Sequence, residues 1–126
     1  MSNSAEPEGF ASLWQVGLEL SLPELQLRVQ EFLRDFLKEK SPETVGTYRR
    51  SLNEFERWFV LNKGRCRFTT DDIESYKDYL MNTRGLHQVS VSTYLTAVRR
   101  LCQYLVDIGV LEENPARAVK GNKRPS

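Results

Sequence analysis

Residues 85–109 read GLHQVSVSTYLTAVRRLCQYLVDIG, and the period of this stretch decides the fold. Val91, Leu95, Val98, Leu101, Leu105 and Ile108 follow one another at spacings of 4, 3, 3, 4 and 3. That is the helical repeat, and it predicts one long helix of about five turns with a single buried seam. Gly85 and Gly109 punctuate its two ends. The opposite face carries Gln88, Ser92, Thr96, Arg99, Arg100 and Gln103, with no acid before Asp107. Surfaces built only for solubility mix both signs of charge. This one suits a rod laid against a polyanion, with short polar residues first and arginines further along. It equally suits a buried helix whose exposed side lacks acids, and the helix alone leaves both readings open.

Working outward, the preceding segments restart the chain three times with the same local chemistry. Ser21-Leu22-Pro23-Glu24 is a capping box with proline in the first turn, and it opens a helix to about Lys40 that buries Leu25, Val29, Phe32, Leu33 and Phe36. Ser41-Pro42-Glu43 opens a second, to about Asn62, burying Val45, Tyr48, Leu52, Phe55 and Phe59 with Trp58 beside the seam. Its outer face shows Thr44, Thr47, Arg49, Arg50 and Ser51 near the start. Gly64 is read as the left-handed residue that ends it, and the loop KGRCRF adds Lys63, Arg65 and Arg67. Thr69-Thr70-Asp71-Asp72 caps a third helix, about Asp71 to Asn82, burying Ile73, Tyr76 and Leu80. The paired acids there are read as dipole partners of the helix start, not as a catalytic or metal site.

The ends are less regular. Residues 1–10 are small, polar and acidic, and Ala11–Leu20, with Leu13, Trp14, Val16, Leu18 and Leu20 in a partly alternating pattern, reads as either a short helix or an extended arm that docks on the rest. Asn114-Pro115-Ala116 is a further cap-and-proline start, and Arg117, Lys120, Lys123 and Arg124 follow without an acid. The expected organisation is an N-terminal arm over 1–20, a helical domain over 21–116 and a basic linker over 117–126. The fold class is all-α: a bundle of four main helices with short connections.

Composition narrows the class. At 126 residues, with 40% apolar and 28% charged residues, the chain is one ordinary globular domain. No run approaches the roughly 20 apolar residues of a membrane span, and the acidic N-terminus is unlike a signal peptide. Cys66 and Cys102 stand far apart with no metal-ligand spacing, so a reducing, cytoplasmic setting and no metal or other cofactor are expected. The net charge of +1 is uneven: residues 1–40 hold four cations against seven acids, and the remainder holds 14 against 10. That asymmetry points the C-terminal part toward nucleic acid.

The ordered set of tracts resembles the N-terminal core-binding domain of tyrosine recombinases of the phage-integrase type. It comprises Ser41-Pro42-Glu43-Thr44, Tyr48-Arg49-Arg50 with Leu52, then Asp71-Asp72-Ile73. It continues through Leu95-Thr96-Ala97-Val98-Arg99-Arg100-Leu101, Tyr104-Leu105 and Gly109 to Ala116. The likeness covers about Leu25 to Lys120. It implies a SAM-like bundle forming half of a C-shaped clamp on duplex DNA, with the helices matching 42–62 and 87–108 facing the duplex. It also implies two further partners, the catalytic domain of the same parent protein and other recombinase protomers on the DNA, with no membrane. The family's catalytic residues lie beyond the Asn-Pro-Ala junction, and none can be matched here, so no catalytic residue is expected in this chain.

The expected DNA-binding residues are Thr44, Thr47, Arg49, Arg50, Lys63, Arg65, Gln88, Ser90, Ser92, Arg99 and Arg100, with Arg67 beside the loop cations. Arginines and lysine would meet phosphates, and the hydroxyls and amide would meet base edges or phosphate oxygens. Each arginine has a plainer alternative as a solvated or ion-paired residue: Arg49 with Asn53 or Glu56, Arg100 with Asp107. His87 at the helix start is read as a cap in preference to a phosphate contact. The rival function is a helical protein-interaction module without DNA binding, its contact strip being residues 13–22 with Trp14.

Overall fold

The computed structural model describes residues 19–62 and 65–119. The chain runs β1 (Glu19–Ser21), α1 (Leu22–Leu37), α2 (Pro42–Leu61), β2 (Arg65–Arg67), α3 (Thr70–Asp78), a π-helical turn (Tyr79–Thr83) and α4 (Gln88–Asp107). It is an all-α bundle, as the periodicity requires, with one small addition. β1 and β2 pair antiparallel, with Leu20 opposite Cys66. Three residues on each side make a clasp that draws the start of α1 to the far end of α2, and Leu20 is buried beneath it. Residues 19–21 are thus extended, one of the two forms read for the arm, while residues 65–67, read as loop, form the other strand.

The serine and threonine caps form where local chemistry places them. The Ser21 hydroxyl accepts from the Glu24 N–H while the Glu24 carboxylate accepts from the Ser21 N–H, the reciprocal capping box. Ser41 caps α2 by accepting from the Thr44 N–H, and Thr69 caps α3 by accepting from the Asp72 N–H. Each helix then turns its seam inward. Leu25, Leu52, Phe55, Phe59, Ile73, Tyr76, Leu80, Val91, Val98, Leu101 and Leu105 are all fully buried. Tyr48 and Phe36 stop at half-burial, where they stack on each other and on Phe32. Phe55, Trp58 and Tyr76 form a second aromatic cluster at the α2–α3 contact.

Three sequence expectations are corrected. The third helix does not continue as an α-helix to Asn82. At Tyr79 it widens into a π turn, with Arg84 N–H donating to the Tyr79 carbonyl five residues back. Tyr79 and Leu80, three and four residues after Tyr76, are both buried at the start of this turn. Ile108 does not extend the α4 seam but is exposed. The helix ends at Asp107, Gly109 turns the chain at φ +86°, and Val110 and Leu111 N–H groups return to the Leu105 carbonyl. That hands the inward position from Ile108 to Leu111, which is buried. Finally, the segment after Ala116 is not free linker from its start: Val119 is 1% exposed and packs on the bundle. The Trp14 strip, Lys63, Gly64 and Lys120 onward lie outside the described residues.

Candidate nucleic-acid interface

α2 and α4 pack side by side, and their outer faces meet at a cleft. Thr47, Tyr48 and Ser51 line one wall, and Thr93, Thr96 and Ala97 line the other, around about 160 Å³. The hydroxyls are already oriented by their own helices. Thr47 donates to the Glu43 carbonyl (3.1 Å), Ser51 to that of Thr47 (2.8 Å) and Thr93 to that of Val89 (3.0 Å). A hydroxyl has one proton, so these three present lone pairs to the cleft rather than donors. They can accept from a base amino group or a water, but they cannot donate to a phosphate. Thr96 is exposed and makes no hydrogen bond among the described residues.

Donors come from the rim. Arg49 and Arg50 are exposed on α2. Arg50 lies back along the helix, its Nη2 donating to Thr47 Oγ1 at 3.3 Å. Arg49 makes no hydrogen bond or ion pair among the described residues, so neither Asn53 nor Glu56 takes it. Thr44 holds its hydroxyl within reach of the Ser41 cap (3.1 Å). On α4, Gln88 is exposed in the first turn, and Ser90 and Ser92 are half-exposed behind it. His87 occupies the N-cap position but its side chain makes no capping hydrogen bond, so the capping reading holds for its backbone alone. The Arg65 backbone pairs with Ser21 in the clasp, and its side chain lies outside the described set.

The two adjacent arginines of α4 part company. Arg100 is exposed, at the edge of a groove of about 240 Å³ floored by Phe32, Phe36 and Tyr104, with Asp35 and Asp107 on its rim. Asp107 accepts from Gln103 instead of pairing with Arg100. Arg99 turns the other way, donating from Nε to the Ala116 carbonyl (3.3 Å) and from Nη2 to the Val119 carbonyl (2.8 Å). Asn114 completes this strap: its Nδ2 donates to the Arg99 carbonyl and its Oδ1 accepts from the Ala116 N–H. Thr70 fastens the strap to α3 through the Pro115 carbonyl. Arg99 was expected to reach phosphate. The carbonyls left open at the chain turn take its guanidinium instead.

Sequence reading missed one polar cluster. Glu54 of α2 is 6% exposed; it accepts from the Tyr79 hydroxyl at 2.7 Å and forms an ion pair with Arg84. Burial raises the Glu54 carboxyl pKa, but the hydrogen bonds from Arg84 and Tyr79 outweigh it and hold the group below its ordinary 4.5. The pair ties α2 to the loop that launches α4, and so fixes the two cleft walls relative to each other. Neighbouring Tyr76 is fully buried with its hydroxyl unpartnered, and burial pushes its pKa far above the ordinary 10. Cys102 is a buried free thiol, its pKa pushed up to about 12 by burial, and so is inert. No helix among the described residues is long and apolar enough to cross a membrane.

Comparison with known proteins places this architecture. The chain is 32% identical over 85 residues to the tyrosine recombinase XerD of Bradyrhizobium diazoefficiens, covering 66% of this chain and 26% of that protein. It is 31% identical over 97 residues to the tyrosine recombinase XerC of Lacticaseibacillus casei, covering 75% and 32%. It is 33% identical over 96 residues to the tyrosine recombinase XerC of Yersinia pestis, covering 73% and 31%. The chain thus spans a third or less of the length of these relatives. No solved structure matches it. Residues 29–109 match the phage integrase N-terminal SAM-like domain, and the chain belongs to that family, as a tyrosine recombinase N-terminal domain homologous to XerC and XerD.

Proposed function

We propose that this domain binds duplex DNA as the core-binding half of a clamp in a site-specific tyrosine recombinase. The observation that carries the reading is the pairing of α2 and α4: their outer faces converge on one cleft, Arg49 and Arg50 are exposed on α2, and Arg100 is exposed on α4 in the groove shared with α1, none of the three in an ion pair among the described residues. Phosphates then meet Arg49, Arg50 and Arg100, with Lys63 and Arg65, which follow α2 in the chain, as further cations. Thr44, Gln88, Ser90, Ser92 and Thr96 meet base edges or phosphate oxygens. Thr47, its proton committed to Glu43, accepts from an exocyclic amino group or a bridging water. The other half of the clamp is a catalytic domain of the same parent protein, and further protomers occupy the same DNA. The breaking and rejoining chemistry belongs to that parent, in the cytoplasm.

The test is a titration of isotope-labelled protein with a short mixed-sequence duplex at two salt concentrations, following backbone amide shifts. Shifts clustered at 44–51 and 88–100 that fade in high salt support the reading. Absence of shifts there at low salt refutes it and favours the protein-interaction module.

A further inference from the structure

A glycine inside a helix lowers its stability against alanine, so it needs a reason. Gly46 is the fifth residue of α2, and its backbone is ordinary helix: the only positive-φ glycines among the described residues are Gly85 and Gly109. A Cβ added at Gly46 meets one group within 4 Å, the Arg50 Nη1 at 3.4 Å. That is ordinary van der Waals contact with the movable end of a flexible side chain. Neither backbone conformation nor packing among the described residues asks for glycine here.

A partner that comes closer to the helix backbone than a methyl group allows supplies such a reason. Its chemistry is written around the position. Gly46 is half-exposed next to Thr47, beneath the Arg50 guanidinium, with the unpartnered Arg49 one step further on. Glu43 is the single acid of that turn, and two guanidiniums outnumber it.

We propose that Gly46 is a close-approach point at which a phosphodiester strand of duplex DNA passes against the bare backbone of α2, with Arg50 folded over it. The inference rests on the DNA-binding reading and adds to it the contact point and the reason for its residue. Arg50 then serves as a lid on the strand as well as a counter-charge, held at the ready by Thr47.

Gly46→Ala and Gly46→Leu test it, both replacements being good helix formers. Gly46→Ala should raise Tm by about 2–5 °C, because the helix gains what glycine withheld. Affinity for a short mixed-sequence duplex should fall by about fivefold or more, and further for Leu. The slope of log affinity against log salt should stay that of the wild type, since no charge is removed. The affinity loss should persist when Gly46→Ala is made in an Arg50→Ala background, where no guanidinium is left to displace. A higher Tm with unchanged affinity overturns the proposal while leaving DNA binding intact. A lower Tm overturns it by revealing an internal need for glycine, and a loss that vanishes with Arg50 overturns it by making the methyl act through Arg50. A wild-type domain that binds no duplex overturns the DNA-binding reading itself.

Discussion

The two flanks of α4 put neighbouring arginines to opposite uses. On one flank Arg99 is half-buried under the 114–119 strap, answering two backbone carbonyls that the end of the bundle leaves open. On the other, Arg100 stands in solvent beside the groove it shares with α1. One step along a helix turns a side chain by about 100°, enough to move from the sealed flank to the open one. Charge alone therefore does not tell the two arginines apart; the fold supplies one guanidinium with acceptors and leaves the other in solvent.

The largest effect should come from the seam both flanks share. Leu95 is 1% exposed in the α4 seam, and Leu95→Ala should cost about 2–5 kcal/mol in denaturant unfolding. A value near zero breaks the assignment of the α4 seam. Next is the sealed flank. Arg99→Ala removes two charge-assisted hydrogen bonds and should cost about 1.5–3 kcal/mol. Hydrogen exchange should show the Ala116 and Val119 amides losing protection first, while the salt slope of duplex binding stays put.

How much of this was legible in the sequence follows from range. Ser21, Ser41 and Thr69 announced their helices because a cap is chemistry within three or four residues. The α4 seam was legible for the same reason, apart from Ile108, whose exposure depends on how Gly109 turns the chain. The fate of Arg99 was not, because its acceptors lie 17 and 20 residues away and are carbonyls, which carry no sequence signal. Glu54 left a faint one: an acid between Ser51 and Trp58 on a face otherwise apolar, with Arg84 isolated in a breaker-rich loop. Its partners sit in a π turn that no period predicts. In the cleft, Thr47 was legible as a polar residue on the outer face of α2, but the direction of its proton was not. Thr93 was passed over, and Thr96 was read only as part of the polar face, because only the α2–α4 crossing places them opposite Thr47 and Ser51.

Glu54 supplies the next effect and a pH signature. Its pKa is lower folded than unfolded, so the unfolded state binds more protons as the carboxylate titrates. The stabilisation is thus fully present above the unfolded value near 4.5 and is lost as pH falls through the lower folded value. Glu54→Gln should cost about 1–2 kcal/mol at neutral pH and remove that acid-side step from the stability profile. An unaltered step in the variant would assign it to another carboxylate.

The smallest effect on stability, and the sharpest contrast, belongs to Arg100. With no internal partner to lose, Arg100→Ala should leave unfolding within about 0.5 kcal/mol of the wild type. Duplex affinity should nonetheless fall for all sequences alike, and the salt slope should flatten by about 0.9 for the one phosphate released. Arg99→Ala has the inverse profile, stability lost and slope kept. Asp35 and Asp107 lie just beyond Arg100 in the same groove, so the surface a phosphate can approach ends there. If both arginines changed the slope equally, the strap would have to open on DNA and release Arg99, and the sealed flank would be sealed only in the free protein. If neither did, the duplex would lie further toward the start of α2, with Arg49 and Arg50 carrying the charge.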